Sequence, residues 1–257
     1  MMSDAERWLL DWHARHTGAT SRSLSRARPS SYEHLASFAR PGDRVLDLAC
    51  GDGMLLDLLL RRGVAKAAGI DISEAELSAA KARLGDRATL FHGRAQALPF
   101  PDGSFELCTC HLALMLMDDV GAVVSEVRRV LAPGGLFAAV VGGPPAADGA
   151  WKQVTLLFVQ AGLSAPAIGD PRMHDENGLR EVLAPLRDVE VSPLNVDLGG
   201  SEDEVWSLFL ETYLPDMLPE DTLSAVERDA REVLRGMRLP DGHIPCELPW
   251  LAVTGRR

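Results

Sequence analysis

The chain predicts an α/β fold with a doubly wound, mostly parallel sheet, and three observations in its 257 residues support this. Between Arg44 and Val141, apolar runs of strand length alternate with runs of helix length, the pattern of βαβ units. The first run, Val45 to Leu48, opens into the glycine turn Ala49-Cys50-Gly51-Asp52-Gly53 and then into the apolar stretch Met54 to Leu60, which has the length and composition of a helix. The second apolar run, Gly69-Ile70-Asp71-Ile72-Ser73, carries an acid where ligands sit at the carboxyl edge of such sheets.

Composition narrows the function. A formal charge of −11 works against a nucleic-acid partner, which needs clustered Lys and Arg. No apolar run reaches the ~20 residues of a membrane span, and the N-terminus lacks the apolar core of a signal peptide, so no membrane role and a cytoplasmic location are expected. Cys50, Cys108, Cys110 and Cys246 lack metal-ligand spacing and read as reduced, mostly buried thiols. A chain with 46% hydrophobic residues can bury one sizeable core, and one domain over residues 1–257, as a monomer or homodimer, is the default.

Residues 1–43 read as a helical cap. Trp8, Leu9, Trp12 and Arg15 fall at helical spacing, so their helix has an aromatic face that either packs on the core or borders a ligand through Trp12. His13 and His16 lie three apart without a third ligand nearby, so no metal is expected, and His16 is kept as a substrate-contact candidate. The polar stretch His16 to Arg22 suits a loop closing over a ligand. Arg22 is either a solvated surface residue or the partner of a ligand carboxylate, which a guanidinium matches in bidentate geometry. A helix from about Ser31 to Phe38, ended by Pro41-Gly42, carries Tyr32.

Charge selects the ligand of the glycine loop. A dinucleotide loop offers amides and a helix N-terminus to a pyrophosphate and wants a third small residue where helix and strand pack. Here Leu56 holds that place, and the carboxylate of Asp47 at the strand mouth repels phosphate but can hold an ammonium group. Asp71, one strand on, can accept both hydroxyls of a ribose. Amine plus ribose describes S-adenosylmethionine. The stretch from Val45 to Gly53 resembles motif I of the class I methyltransferases, and Asp71 resembles their motif II acid. That resemblance implies a seven-stranded Rossmann-like sheet, with Asp47, Ala49, Gly51 and Gly53 seating the methionine end, Asp71 and Ile72 the ribose, and Arg22 the methionine carboxylate. Tyr32 resembles the aromatic residue that small-molecule members place near the site, though a packing Tyr looks the same.

Ser73 caps a helix to about Leu84 that stops at Gly85, and Ala88 to His92 is a third strand. The run Gly93 to Phe105 is similar to the family's adenine-binding loop, which makes Arg94, Ala95 and Gln96 adenine candidates. The family often has Asp where Arg94 stands, and Arg94 cannot accept a hydrogen bond from the adenine amine. The fourth strand, Phe105 to Cys110, leads to His111 and Leu112 at the switch point, where the resemblance implies cofactor contacts. His111 is the candidate general base, because an unperturbed imidazole takes a proton near neutral pH, and otherwise it is a structural residue of the pocket. A helix over residues 120–131 and the stop Pro133-Gly134-Gly135 before an apolar strand complete the resemblance, which covers roughly Arg44 to Val141 and implies a cofactor-binding core at 44–142.

Substrate choice is expected in the remainder. The segment 143–200 starts at a hinge-like Gly142-Gly143-Pro144-Pro145 and holds a helix from Trp151 to Gln160, His174, a helix capped by Asp175 that runs to Leu186, and a sixth strand broken at Pro193. The insertion 201–240 has a helical pattern. Its apolar stripe of Trp206, Phe209, Leu210, Tyr213 and Leu214 is either core or part of a lid. Residues 241–257 hold the last strand. Trp12, His16, Tyr32, Trp151, His174, Trp206 and Tyr213 are the substrate candidates. The implied function is methyl transfer from S-adenosyl-L-methionine to an oxygen or nitrogen of a small molecule. A bacterial gene of secondary metabolism fits the abundance of Ala, Leu and Arg. The alternatives are a cofactor-binding protein of this fold without methyl transfer, such as a cyclase, a NAD-dependent oxidoreductase, or a protein-methylating enzyme.

Overall fold

The computed structural model describes residues 3–143, 148–163, 168–219 and 221–257. Its strands are β1 (Arg44–Leu48), β2 (Lys66–Asp71), β3 (Thr89–His92), β4 (Phe105–His111), β5 (Leu131–Val141), β6 (Arg187–Asp197) and β7 (Glu247–Arg256). They form one Rossmann-like sheet in the order β3-β2-β1-β4-β5-β7-β6. The first five strands are parallel, and β7 runs antiparallel between β5 and β6. The chain winds from β1 outward to β3, then returns to lay β4 on the other side of β1. That reversal opens a crevice at the carboxyl ends of β1 and β4.

Alternation along the strands explains why both faces of the sheet are covered. Val45, Leu107, Ala138 and Val140 belong to one apolar cluster, while Leu46, Leu48, Ile70, Cys108 and Phe137 belong to another. The parallel strands are linked by α4 (Met54–Arg61) and α5 (Glu74–Leu84), and α6 (Val120–Val130) joins β4 to β5. Before them come α1 (Asp4–Arg15), α2 (Ala19–Ser23) and α3 (Ser31–Ala36), which form the expected helical cap. Ser3 and Glu6 close a capping box that starts α1, and Ser73 caps α5 as its sequence suggests. Between β5 and β6 lie α7 (Ala150–Gln160) and α8 (Glu176–Val182); between β6 and β7 lie α9 (Glu202–Leu210) and α10 (Leu223–Gly236).

Several expectations are corrected. Pro193 does not break the sixth strand: β6 runs through it and pairs it with Leu251, because β6 is an edge strand and one side of its backbone needs no partner. Pro133-Gly134-Gly135 lies inside the start of β5 rather than before it. Helix α8 stops at Val182, four residues short of Leu186, and α3 stops at Ala36. The Pro144-Pro145 part of the expected hinge lies outside the described residues. Among the described residues, no helix is long and apolar enough to cross a membrane.

Candidate active site

The loop after β1 turns sharply, and the left-handed backbone of Ala49, Gly51 and Gly53 makes the turn possible. Gly53 does not face the crevice. A Cβ there would lie 2.8 Å from Leu84 Cδ1 and 3.2 Å from Ala80 Cβ, so this glycine lets α5 pack on the loop. The close approach of α4 to the sheet, for which the sequence offers only Leu56, is provided by Gly69 on β2. A Cβ at Gly69 would come within 2.7 Å of both Leu56 Cδ1 and Cys50 Sγ.

Two carboxylates flank this loop from below. Asp47 is 2% exposed, and its Oδ1 accepts a hydrogen bond of 2.8 Å from the Thr109 hydroxyl of the neighbouring β4. Burial lifts the Asp47 carboxyl to about 7; the Thr109 bond opposes this and nearby Asp71 adds to it. Asp71 accepts the Gly51 amide on Oδ2 at 2.9 Å and the Ser73 amide on Oδ1 at 2.8 Å. Burial raises its carboxyl as well, against those two bonds. Each Asp71 oxygen keeps a lone pair for a further donor.

The cap covers the crevice and makes a pocket of it. Glu76, 4% exposed, accepts the Gly18 amide at 3.0 Å and contacts His13 Nδ1 at 3.1 Å. His13 Nε2 lies 3.2 Å from the Tyr213 hydroxyl, so this imidazole ties α1 to α5 and to the segment after α9. Asp52 holds Ser21 of α2 and Arg83 of α5. Glu6 of α1 accepts a two-pronged ion pair from Arg94 at 2.7 and 2.5 Å.

Of the candidates read from sequence, Asp47, Ala49, Gly51, Asp71 and Ile72 line this cavity. Ala95, Gln96, His111 and Leu112 join them, with Tyr32 and Tyr213 from outside the core motifs. His111 stacks on Tyr32 at 3.9 Å between ring centroids, and its Nε2 lies 2.9 Å from the Ser31 hydroxyl. Burial drops the His111 imidazole to about 3. That corrects the premise of a base poised near neutral pH, since the ring is neutral but a weak proton acceptor.

The other candidates do not line the cavity. Arg22 is turned outward to Glu211, at 2.7 and 3.3 Å, and to the Thr17 carbonyl. Arg94 is held by Glu6. Trp12 is buried at 1% exposure between His16 and Tyr213, and His16 contacts Asp216 at 3.1 Å. Trp151 stacks on Phe209, and Trp206 is core beside Phe158 and Phe209. His174 contacts the Gly142 carbonyl at 3.3 Å. Sequence reasoning missed Glu6, His13, Ser21 and Glu76, all of which line the cavity. Glu76 sits at the third position of a helix capped by Ser73, so in sequence it reads as an ordinary first-turn acid. Among the described residues, no group of three or more His, Cys, Asp or Glu is placed to hold a metal ion.

A glycine loop lies between two buried carboxylates near the strand ends, under a helical cap. A family model described as a methyltransferase domain matches residues 46–139, the stretch whose motifs resemble the class I S-adenosylmethionine-dependent methyltransferases. The chain is similar to demethylmenaquinone methyltransferase from Symbiobacterium thermophilum, 39% identical over 113 residues that cover 41% of this chain and 45% of that protein. The chain thus spans about half the length of the curated relatives it matches. Among solved structures, geranyl diphosphate C-methyltransferase from Streptomyces coelicolor A3(2), in complex with S-adenosyl-L-homocysteine, aligns with a TM-score of 0.53 at 18% identity. It covers 89% of this chain and 76% of its own. The 4+2 cyclase SpnF aligns with a TM-score of 0.54 at 19% identity, over 88% of this chain and 79% of its own. At that identity, the two structures speak for the fold alone.

Proposed function

We propose that the chain is an enzyme that transfers a methyl group from S-adenosyl-L-methionine to an oxygen or nitrogen of a small molecule. The observation that carries this reading is the pair of buried carboxylates, Asp47 and Asp71, near the ends of adjacent strands on either side of the glycine loop. Asp71 retains acceptor capacity for two ribose hydroxyls, and Asp47 gains a cation to offset its buried charge when an ammonium group docks beside it. Gly51 holds Asp71 in place through its amide, and Ile72, Ala95 and Gln96 offer the surface for adenine. When bound, the cofactor supplies an electrophilic methyl group on a sulfonium for in-line attack by the acceptor.

The rest of the work falls to positioning and to exclusion of water. The pocket is lined on one side by the cofactor candidates at the strand ends and on the other by cap residues, so an acceptor would lie between the cofactor and the cap. Tyr32, Leu112 and Tyr213 are the contacts we assign to that acceptor, with phenols, amines and polyketide or amino-acid derivatives as its classes. His111 orients Tyr32 and Ser31 in this account and does not remove a proton. A cytoplasmic enzyme of bacterial secondary metabolism, acting as a monomer or homodimer, is the setting we infer.

The test is incubation with S-adenosyl-L-methionine and a panel of these acceptors, followed by mass spectrometry. A gain of one methyl group matched by S-adenosyl-L-homocysteine supports the reading. Acceptor conversion without that product would favour a cyclase-like role.

A further inference from the structure

The edge of the sheet fixes the direction in which the proposed cofactor lies, and this inference rests on that reading. Asp47 lies one residue before the end of β1 and Asp71 ends β2, while the Ala95 and Gln96 loop follows β3, so amine, ribose and base run outward along β1, β2 and β3. Adenine carries an exocyclic 6-amino group that donates hydrogen bonds, whereas a 6-oxo purine offers an acceptor at the same place. A donor enclosed in a cavity needs an acceptor. Arg94 in that loop has none to offer, but it draws a carboxylate in from another element.

That carboxylate is Glu6. It is 5% exposed, lines the cavity, and is carried by α1 across the top of the loop. Its Oε2 accepts from Arg94 Nη1 at 2.7 Å and from the Ser3 amide at 3.3 Å. Among the described residues its Oε1 accepts only the Arg94 Nη2 bond, at 2.5 Å, which leaves that oxygen a lone pair for a further donor. Gln96 is the other side chain of the loop with an acceptor; its amide nitrogen is spent on the Asp118 carbonyl, and its oxygen is neutral. A carboxylate fixed by two charged bonds and one cap bond is the stronger acceptor and the better held.

We propose that Glu6 reads the 6-amino group of adenine, with Arg94 as the residue that positions it. Recognition of the base then depends on α1 lying over the cavity, so the N-terminal helix is part of the cofactor site as well as its cover.

The experiment is calorimetric titration of the full chain with S-adenosylhomocysteine and with S-inosylhomocysteine, its 6-oxo analogue. The variants are Glu6→Gln, Glu6→Ala and Glu6→Ala with Arg94→Asp. The wild-type protein should prefer the adenine compound by about tenfold to a hundredfold, the worth of one hydrogen bond to a charged group. Glu6→Ala should reduce that preference to within about twofold, and the double variant, which returns a carboxylate to the loop, should recover part of it. An unchanged preference in Glu6→Ala overturns the proposal. If Glu6→Ala does not fold, Glu6→Gln, which keeps a capping-box side chain, decides on the same ratio. Failure of the wild-type protein to bind either compound would instead remove the cofactor reading beneath it.

Discussion

Replacing Asp47 by Asn should make the ligand-free protein more stable and its cofactor site worse. Burial holds the Asp47 carboxyl at about 7 against an ordinary 3.8, so the folded state keeps a proton there that the unfolded chain has already lost. This contribution to stability is fully present below pH 3.8, declines as pH rises through that window, and is gone above about 7. At about 1.4 kcal/mol for each pH unit, the charged form costs the folded protein about 4 kcal/mol. The Thr109 hydroxyl at 2.8 Å can donate equally to an amide oxygen, so Asn keeps the existing bond. Removal of the charge should therefore raise the melting temperature at pH 8 by roughly 8–16 °C, at 2–4 °C per kcal/mol for a chain of this size. Near pH 4 the wild-type side chain is protonated and the two proteins should melt together. Thermal melts of both proteins at the two pH values test this. An Asn variant that is less stable at pH 8, or a difference that does not change with pH, would refute the assignment of a strained, charge-seeking carboxylate.

Three further outcomes follow from the same geometry. Gly53→Ala forces a side chain into the left-handed region at φ +78°, with its Cβ 2.8 Å from Leu84 Cδ1; it should cost about 2–3 kcal/mol and lower the melting temperature by roughly 5–10 °C. His13→Ala removes the bridge from Glu76 to Tyr213 and should speed release of S-adenosylhomocysteine by about tenfold in stopped-flow, the worth of two ordinary hydrogen bonds; an unchanged off-rate would mean that the bridge does not hold the cap over the ligand. The buried His111 imidazole should show no titration in NMR spectra above about pH 4, because burial has already lowered it to about 3, and a midpoint near 6.5 would restore it as a candidate base.

The motifs that lie on consecutive residues were legible in the sequence. Val45 to Gly53, Asp71 and the switch-point His111 each declare a strand end by their own neighbours; Asp47, Ala49, Gly51, Asp71 and His111 reach the cavity, while Val45, Leu46 and Leu48 are core. Gly53 was read as a ligand contact because its spacing is that of the loop, whereas its work is to admit Leu84. The cap was less legible. Helical spacing placed Trp8, Leu9 and Trp12 on one face, but which of them meets ligand depends on how α1 tilts over the sheet. Leu9 and His13 line the cavity, while Trp12 is core. Pairings between distant segments left no local trace: Arg22 is claimed by Glu211, Arg94 by Glu6, and Glu76 by His13, over separations of 189, 88 and 63 residues. Large aromatics were overvalued as substrate contacts. Trp151 and Trp206 are drawn into the apolar layer between α7 and α9, where their area is worth most, and the smaller Tyr213 carries a hydroxyl to the cavity.

The most direct measurement is calorimetric titration of the wild-type and Asp71→Ala proteins with S-adenosylmethionine, S-adenosylhomocysteine and NAD. Asp71 has a free lone pair on each oxygen, so its loss removes two bonds to a ribose and leaves the Gly51 and Ser73 amides unpaired. Both sulfur compounds should bind the wild-type protein and bind the variant at least about a hundredfold more weakly, with no measurable binding of NAD. Preference for NAD, or affinity for the sulfur compounds that survives Asp71→Ala unchanged, would contradict the assignment of this cavity to S-adenosylmethionine.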